Sequence, residues 1–508
     1  MKRLALLSAA ALLAVSCGSG QSIITAGKEP AVVTQPAPIT LAPGETLPVG
    51  ETLPPVDTTI APTTTAALLD TLPNCPTAAL AAAKGPVELT FWHGMNGPLA
   101  DELQKLTDGY NAGQTKVHVT LIQSSYEQTI DKYLQAGQGS RPDLVQMPEY
   151  MVQTMVDSRS TVPVEACIKS SGYDTTAFLP TGLGAYATQG VQWSIPFNIS
   201  NPVLFYNKKK FVAAGLDPNK PPVSLDEMRA DSDAIVKSGA ATYGLALDSG
   251  FDSGGGWYIE QWFAKAGEFY ADNQNGRTAR ATKVLYNNPT GVSLLTLLQS
   301  MINDGLAVNV GDNSTSGFDN LLKLADKDAP AAMTIATSAS IGPVLAVLNG
   351  GQFPQIGNED VGVAPMPGPD GKPGALVGGA SLWVVDSGDD VRTAATWDFT
   401  TYLTAAQQQS QWSSATGYLP VRTDALTLDP LKTTWATDPR FKVPYDQLLS
   451  SPEVPTSVGP IVGPLREVRT VTAQGVAAIF GGADVATTLT ASAAQADALI
   501  ADYNSRNG

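Results

Sequence analysis

Two histidines, His93 and His118, are the whole imidazole supply of the chain. His118 lies within the alternating run KVHVTLI at 116–122, where a structural role is expected. His93 ends the run ELTFWH and could reach a cleft, but no catalytic partner stands beside it. No GxSxG, HExxH, P-loop or CxxC pattern is present, so triad, zinc and nucleotide chemistry have no sequence support. No metal site and no cofactor are expected. What remains for catalysis is a carboxylate pair of the glycosidase kind, with Glu127 and Glu149 as candidates.

A different set recurs where strands end: Trp92, Tyr126, Glu149, Ser200, Trp257, Ser338, Trp383 and Tyr418. Aromatic faces stack on the C–H faces of polyols, and hydroxyls and carboxylates exchange hydrogen bonds with ligand hydroxyls. Each of these aromatics alone would more often belong to a core. Gly254-Gly255-Gly256 and Gly378-Gly379 would let backbone N–H groups approach a ligand, or simply turn the chain.

The elements that must position these residues are of α/β type. Glu88–Trp92 and Lys116–Ile122 alternate as strands, and Asp143–Met147 makes a third. Helices are expected from Pro98, with Leu99, Leu103, Leu106 and Tyr110 on one face, and over Tyr126–Ala136. Strand–helix–strand–helix–strand implies a parallel sheet covered by helices. Ser224-Leu225-Asp226-Glu227 is a capping box opening a second α/β unit, and another helix starts near Asp390. Between the units runs SIPFNISNPVLFYNKKKF at 194–211. Its prolines predict an irregular crossing that becomes a strand only after Pro202. The chain of 508 residues exceeds one compact core, so two lobes with a ligand cleft between them are expected.

The charge balance, 31 basic against 47 acidic residues for a net −16, disfavours nucleic acid as a partner. Met1-Lys2-Arg3 followed by LALLSAAALLAV and Ser16-Cys17 reads as an export signal. AVSC resembles a lipoprotein box, with Cys17 the lipidated residue. Residues 18–85 are rich in Pro, Thr, Ala and Gly, with GETLP at 44–48 repeated at 50–54, and are expected to form an extended linker. Cys75 and Cys167 remain for one disulfide, or as two buried thiols.

TFWHGMNG (90–97), SYEQTI (125–130), IPFNISNPVLFYNK (195–208), GGASLWV (378–384) and TGYLPVR (416–422) together resemble family 1 extracellular solute-binding proteins of ABC importers, in particular the members that bind glycerol 3-phosphate. The resemblance runs from about Glu88 to about Arg469. It implies a two-lobed, hinged periplasmic-binding fold of type II, with 86–199 and 340–388 in lobe I and 200–339 and 389–508 in lobe II. It implies ligand contacts at Tyr126, Glu149, Ser200, Ser338, Gly379 or Gly378, and Tyr418, with Trp257 packed over the ligand. The expected activity is capture, without chemical turnover, of glycerol 3-phosphate, a glycerophosphodiester or a sugar. The expected partners are permease and ATPase subunits and, through the lipid only, the outer face of a membrane, with the receptor itself a monomer. In one place the chain departs from the family: the phosphate-binding arginine of a Gly-Leu-Arg segment is replaced, the sequence reading Gly459-Pro460-Ile461. That loss argues against free glycerol 3-phosphate. Arg466 and Arg469 follow but align beyond the position.

Overall fold

The computed structural model describes residues 72–313 and 317–507. The signal, Cys17 and the linker as far as residue 71 lie outside the described residues. Among the described residues there are thirteen strands. They are β1 Val87–His93, β2 Val117–Gln123, β3 Leu144–Pro148, β4 Thr161–Val162, β5 Ala187–Thr188, β6 Val191–Gln192 and β7 Ile195–Ser200. The rest are β8 Pro202–Asn207, β9 Tyr243–Leu247, β10 Ala307–Asn309, β11 Ala331–Thr337, β12 Val361–Pro365 and β13 Gly378–Val385.

They form two main sheets. One has the order β2-β1-β3-β13-β4, with β7 added on β13; the other is β10-β9-β11-β8-β12. The first three strands are parallel, as the alternation predicts. β13 joins them antiparallel, however, and so do β4 and β7 on β13, so the sheet is mixed. Eight helices position or cover the strand ends: α1 Gly97–Gly113, α2 Tyr126–Gln135, α3 Leu225–Ser238, α4 Trp257–Ala266, α5 Pro289–Asn303, α6 Asp390–Leu403, α7 Leu465–Phe480 and α8 Val485–Asn507. Capping boxes start two of them, Ser125 with Gln128 at α2 and Ser224 with Glu227 at α3.

The crossing between the sheets differs from its sequence reading. Ile195–Ser200 is already a strand, and only Asn201 separates it from β8. Proline is tolerated because β7 pairs along its length only with β13, its other side carrying a single bridge from Ile199 to Leu419, and Pro196 faces Ser381 where the register shifts. β8 then enters the middle of the second sheet fully buried. Its alternation divides two cores: Leu204 and Tyr206 join the larger cluster, Val203 and Phe205 a smaller one with Ile341, Leu345, Val361 and Val363.

Two expected boundaries need correction. Val361–Pro365 pairs with β8 in the second sheet, although 340–388 was expected in lobe I. α6 packs against β1, α1 and β13 of the first sheet, although 389–508 was expected in lobe II. The chain therefore passes between the sheets more than once, and hydrophobic pattern alone does not say which sheet a buried element joins. The expected linker boundary at residue 85 also lies too far along the chain. Cys75 is buried and disulfide-bonded to Cys167, and the turn Thr77–Ala82 packs on α6, so residues 72–85 belong to the folded body.

Candidate functional site

The expected site residues leave their elements at the crossing. Tyr126 is the first residue of α2, Glu149 follows the C-terminal end of β3, and Ser338 follows that of β11. Ser200 ends β7 beside Asn201; Gly378 and Gly379 open β13 opposite Ser200 and Ile199. Trp257 is the first residue of α4, and Tyr418 lies just past Gly417, whose φ of +91° ends the preceding helix. Strand ends at a crossover between sheets are where α/β folds place their ligands.

Polar contacts tie the first-sheet part together. Gly94 N–H donates to Gln146 Oε1 at 2.9 Å, Gln146 Nε2 to Asn198 Oδ1 at 2.7 Å, and Asn198 Nδ2 to the Tyr126 hydroxyl at 3.0 Å. The Tyr418 hydroxyl lies near Asn198 and Tyr126, and its ring stacks on Trp412 at 5.8 Å. The Tyr126 ring lies where a side chain on Gly94 would be, 2.5 Å from an added Cβ, which explains the glycine of FWHG. Ser338 N–H donates to Asn201 O at 2.9 Å, and Gly417 packs against the Ser338 carbonyl. Across the sheets, Trp257 fills the space beside Gly378, where an added Cβ would be 2.1 Å from Cζ2 of the ring. Seven of the eight expected residues thus lie along the crossing; Glu149 follows Pro148, which pairs with Ala380 on the same sheet.

The triple glycine before Trp257 serves another purpose than an open amide cradle. The N–H groups of Gly254, Gly255 and Gly256 donate to Asp248 Oδ1, Gly250 O and Ser253 O. A side chain on any of the three would meet a backbone carbonyl within 2.0–2.3 Å, so the glycines close the loop tightly upon itself.

Charge enters from α7. Arg469, 1% exposed, donates through Nε and Nη2 to both oxygens of Glu260 at 2.6 and 2.7 Å, and through Nη1 to Glu149 Oε1 at 2.9 Å. Burial raises the pKa of Glu149, and Arg469 opposes that rise. Arg466 pairs with Glu127 and, at 2.8 Å, with Asp131; Glu127 also accepts from the Tyr150 hydroxyl at 2.9 Å. Both candidate glycosidase carboxylates are therefore held by arginines. Glu149, Glu260, Arg277, Arg469, Gly459 and Pro460 border a cavity of about 20 Å³, room for little more than one water. Larger surface depressions, of about 200 Å³ beside Trp397 and about 310 Å³ beside Glu268, lie away from these residues, so size does not mark the site.

Sequence reasoning missed Asn198, Gln146, Tyr186, Glu260, Arg277 and the pairing of Arg469. Asn198 lies in the PFN motif and could have been named from it; the others carry no local signal. Trp92 and Trp383, also noted at strand ends, are buried in the first core. His118 is exposed on β2. His93 is buried, its Nδ1 without a partner among the described residues, and burial lowers its pKa to about 4. The unfolded chain takes up this proton near pH 6.5 and the folded one near 4, so stability falls as the pH drops through that window. The expected contribution is about 1.4 kcal/mol per pH unit. Urea denaturation at a series of pH values checks it, with His93→Gln flattening the slope.

Residues 105–443 match the family model of bacterial extracellular solute-binding proteins. The chain belongs to that family. The sn-glycerol-3-phosphate-binding periplasmic protein UgpB of Pectobacterium atrosepticum is 32% identical over 413 residues, 79% of this chain and 88% of the relative. Its Salmonella typhimurium counterpart is 31% identical over 405 residues, 78% and 88% of the two chains. Among solved structures, UgpB of Mycobacterium tuberculosis in complex with glycerophosphocholine superposes with a TM-score of 0.68 at 22% identity, over 83% of this chain and 99% of that one. The cyclic α-maltosyl-1,6-maltose binding protein of Arthrobacter globiformis gives 0.66 at 22%, over 82% and 100%. These two likenesses show the two-lobed fold. The family is one of solute binders, and the glycosidase alternative finds no support in it.

Proposed function

We propose that this solute-binding protein is the receptor of an ABC importer, gripping a small polyhydroxylated solute between its lobes and passing it unchanged to a membrane permease. The solute classes are those of its relatives: glycerol 3-phosphate, a glycerophosphodiester or a sugar. Tyr126, Glu149, Ser200, Trp257, Ser338, Gly378, Gly379 and Tyr418 supply the contacts. The observation that carries this reading is their convergence, from both sheets, on the single crossing Asn198–Asn201. A ligand held there touches both lobes at once and so favours the closed form through its differential contacts. The protein acts as a monomer without catalysis. Lipidation at Cys17 would hold it at the outer face of the membrane, with residues 18–71 as the tether.

The test is titration with glycerophosphocholine, glycerol 3-phosphate and maltose, monitored by tryptophan fluorescence. Trp257→Ala and Tyr418→Phe are each expected to weaken binding on the order of tenfold, with melting curves that stay cooperative. Wild-type affinity in both variants would remove the cleft assignment, and recovery of a cleaved ligand would restore the enzyme reading.

A further inference from the structure

Ion pairs that join the two sheets run in one sense among the described residues. Helices α7 and α8 pack on α5, which lies against β10 of the second sheet, and Arg280 sits beside α8, where Asn504 and Asn507 bond to its loop. The carboxylates met by these elements belong to the first sheet: Glu127 and Asp131 on α2, Glu149 after β3, and Asp157 between β3 and β4. Arg466 pairs with Glu127 and, at 2.8 Å, with Asp131. Arg469 donates to Glu149 at 2.9 Å. Arg280 holds both oxygens of Asp157 at 2.9 and 2.5 Å, and the Tyr503 hydroxyl of α8 adds a bond of 2.9 Å to the same carboxylate. Guanidinium groups thus line one lip of the seam and carboxylates the other.

The pairs differ in what opening would cost them. Arg469 keeps both bonds to Glu260, on its own side, and releases only Glu149. Arg466 and Arg280 give up carboxylates altogether, but they lie at the rim, their side chains 23% and 28% exposed, and water can replace what they lose. Behind this rim, Ser200, Trp257, Ser338 and Tyr418 are buried. The cavity beside Glu149 has room for about one water. A polyol therefore reaches these side chains only when the seam parts.

We propose that the seam is an autoinhibitory latch. Arg466 with Glu127 and Asp131, and Arg280 with Asp157, hold the solute-free protein shut, and a solute enters only from the fraction of molecules in which these pairs are broken. The latch is a property of the fold; its consequence for uptake rests on the receptor function proposed above. Association is slowed, and apparent affinity lowered, by the fraction that is open. Opening also detaches Glu149 from Arg469, which leaves that carboxylate ready for a ligand hydroxyl. Because the lips carry opposite charge, salt weakens their attraction: the screening length falls from about 10 Å at 0.1 M to about 3 Å at 1 M.

Small-angle X-ray scattering on the full chain without solute tests the latch directly. Wild type is expected to have a smaller radius of gyration in about 0.1 M than in about 1 M KCl. Arg466→Gln and Asp157→Asn should each widen the protein at the lower salt, raising the open-to-closed ratio on the order of threefold, the effect of one rim pair. Arg466→Glu combined with Glu127→Arg restores the attraction and should restore the smaller radius, which a merely structural role for Arg466 would not do. If Arg466→Gln does not fold, Asp157→Asn decides alone. One radius for all variants at both salts, or a wide wild type at low salt, would overturn the latch and leave the receptor function standing. Stopped-flow mixing with maltose and with glycerophosphocholine supplies the second readout. Association is expected to be on the order of threefold faster in Arg466→Gln. An unchanged rate in a protein shown to be wider would mean that solute enters the shut form, and would sink the autoinhibitory role. Binding of neither solute by any variant would count against the receptor function, with scattering still deciding the latch.

Discussion

Replacing Arg469 with methionine is expected to destabilise the folded protein by about 3–5 kcal/mol, the range for stranding a buried charge. Glu260 is 2% exposed on α4 and receives both its hydrogen bonds from Arg469, while Glu149 loses its only cation. The guanidinium also lies 5.1 Å from the centre of the Tyr150 ring, so its removal opens a packing defect. What remains is a carboxylate in an apolar interior with nothing to meet it. Removing the carboxylate as well should undo most of the damage, because replacing both members of a buried pair is far less costly than removing one. Arg469→Met with Glu260→Gln is therefore expected to recover at least half of the lost stability. Urea denaturation midpoints of the two variants measure this. A single variant within about 1 kcal/mol of wild type, the usual range for a surface pair, would show that water already reaches Glu260.

That pair also marks where the sequence stops being informative. Strands β1, β2 and β3 and helices α1, α2, α3 and α6 are legible to within about a residue, because each has a local cause: an alternating run, a proline at the first turn, or a capping box. The eight site positions are legible only as motifs of a known family; nothing in their local chemistry requires them to meet. Partners of Arg469 stand 209 and 320 positions away, and no periodicity records so distant a contact. Pro196 reads as a strand breaker because the sequence does not say that β7 lacks a second neighbouring strand, and Pro202 because it does not say that this proline opens β8. The clearest loss is Arg277. Nothing in Asn-Gly-Arg-Thr announces that its guanidinium will settle on the carbonyl of Gly459.

Adding one methyl group at Gly378 is expected to weaken solute binding about tenfold, or about 1.4 kcal/mol, while leaving the fold intact. The new Cβ would sit 2.1 Å from Cζ2 of Trp257, well inside the roughly 3.5–4.0 Å at which carbon atoms rest. The neighbour that must give way is a side chain, so the strain falls on the placement of the indole rather than on the backbone. If Trp257 covers the solute, Gly378→Ala acts through that ring, and the two substitutions cannot be additive. Trp257→Ala with Gly378→Ala should then bind no more weakly than the poorer single variant. Gly379 supplies the contrast. Its φ is +87°, and its added Cβ would lie 2.1 Å from the Asn198 carbonyl oxygen, so Gly379→Ala presses backbone against backbone in the left-handed region. That variant is expected to lose thermal stability first. Calorimetry and melting curves on the two neighbours separate the effects. The opposite pattern, Gly378→Ala unfolding the protein and Gly379→Ala binding poorly but melting normally, would mean that the indole is fixed core and that the solute rests on the strand instead.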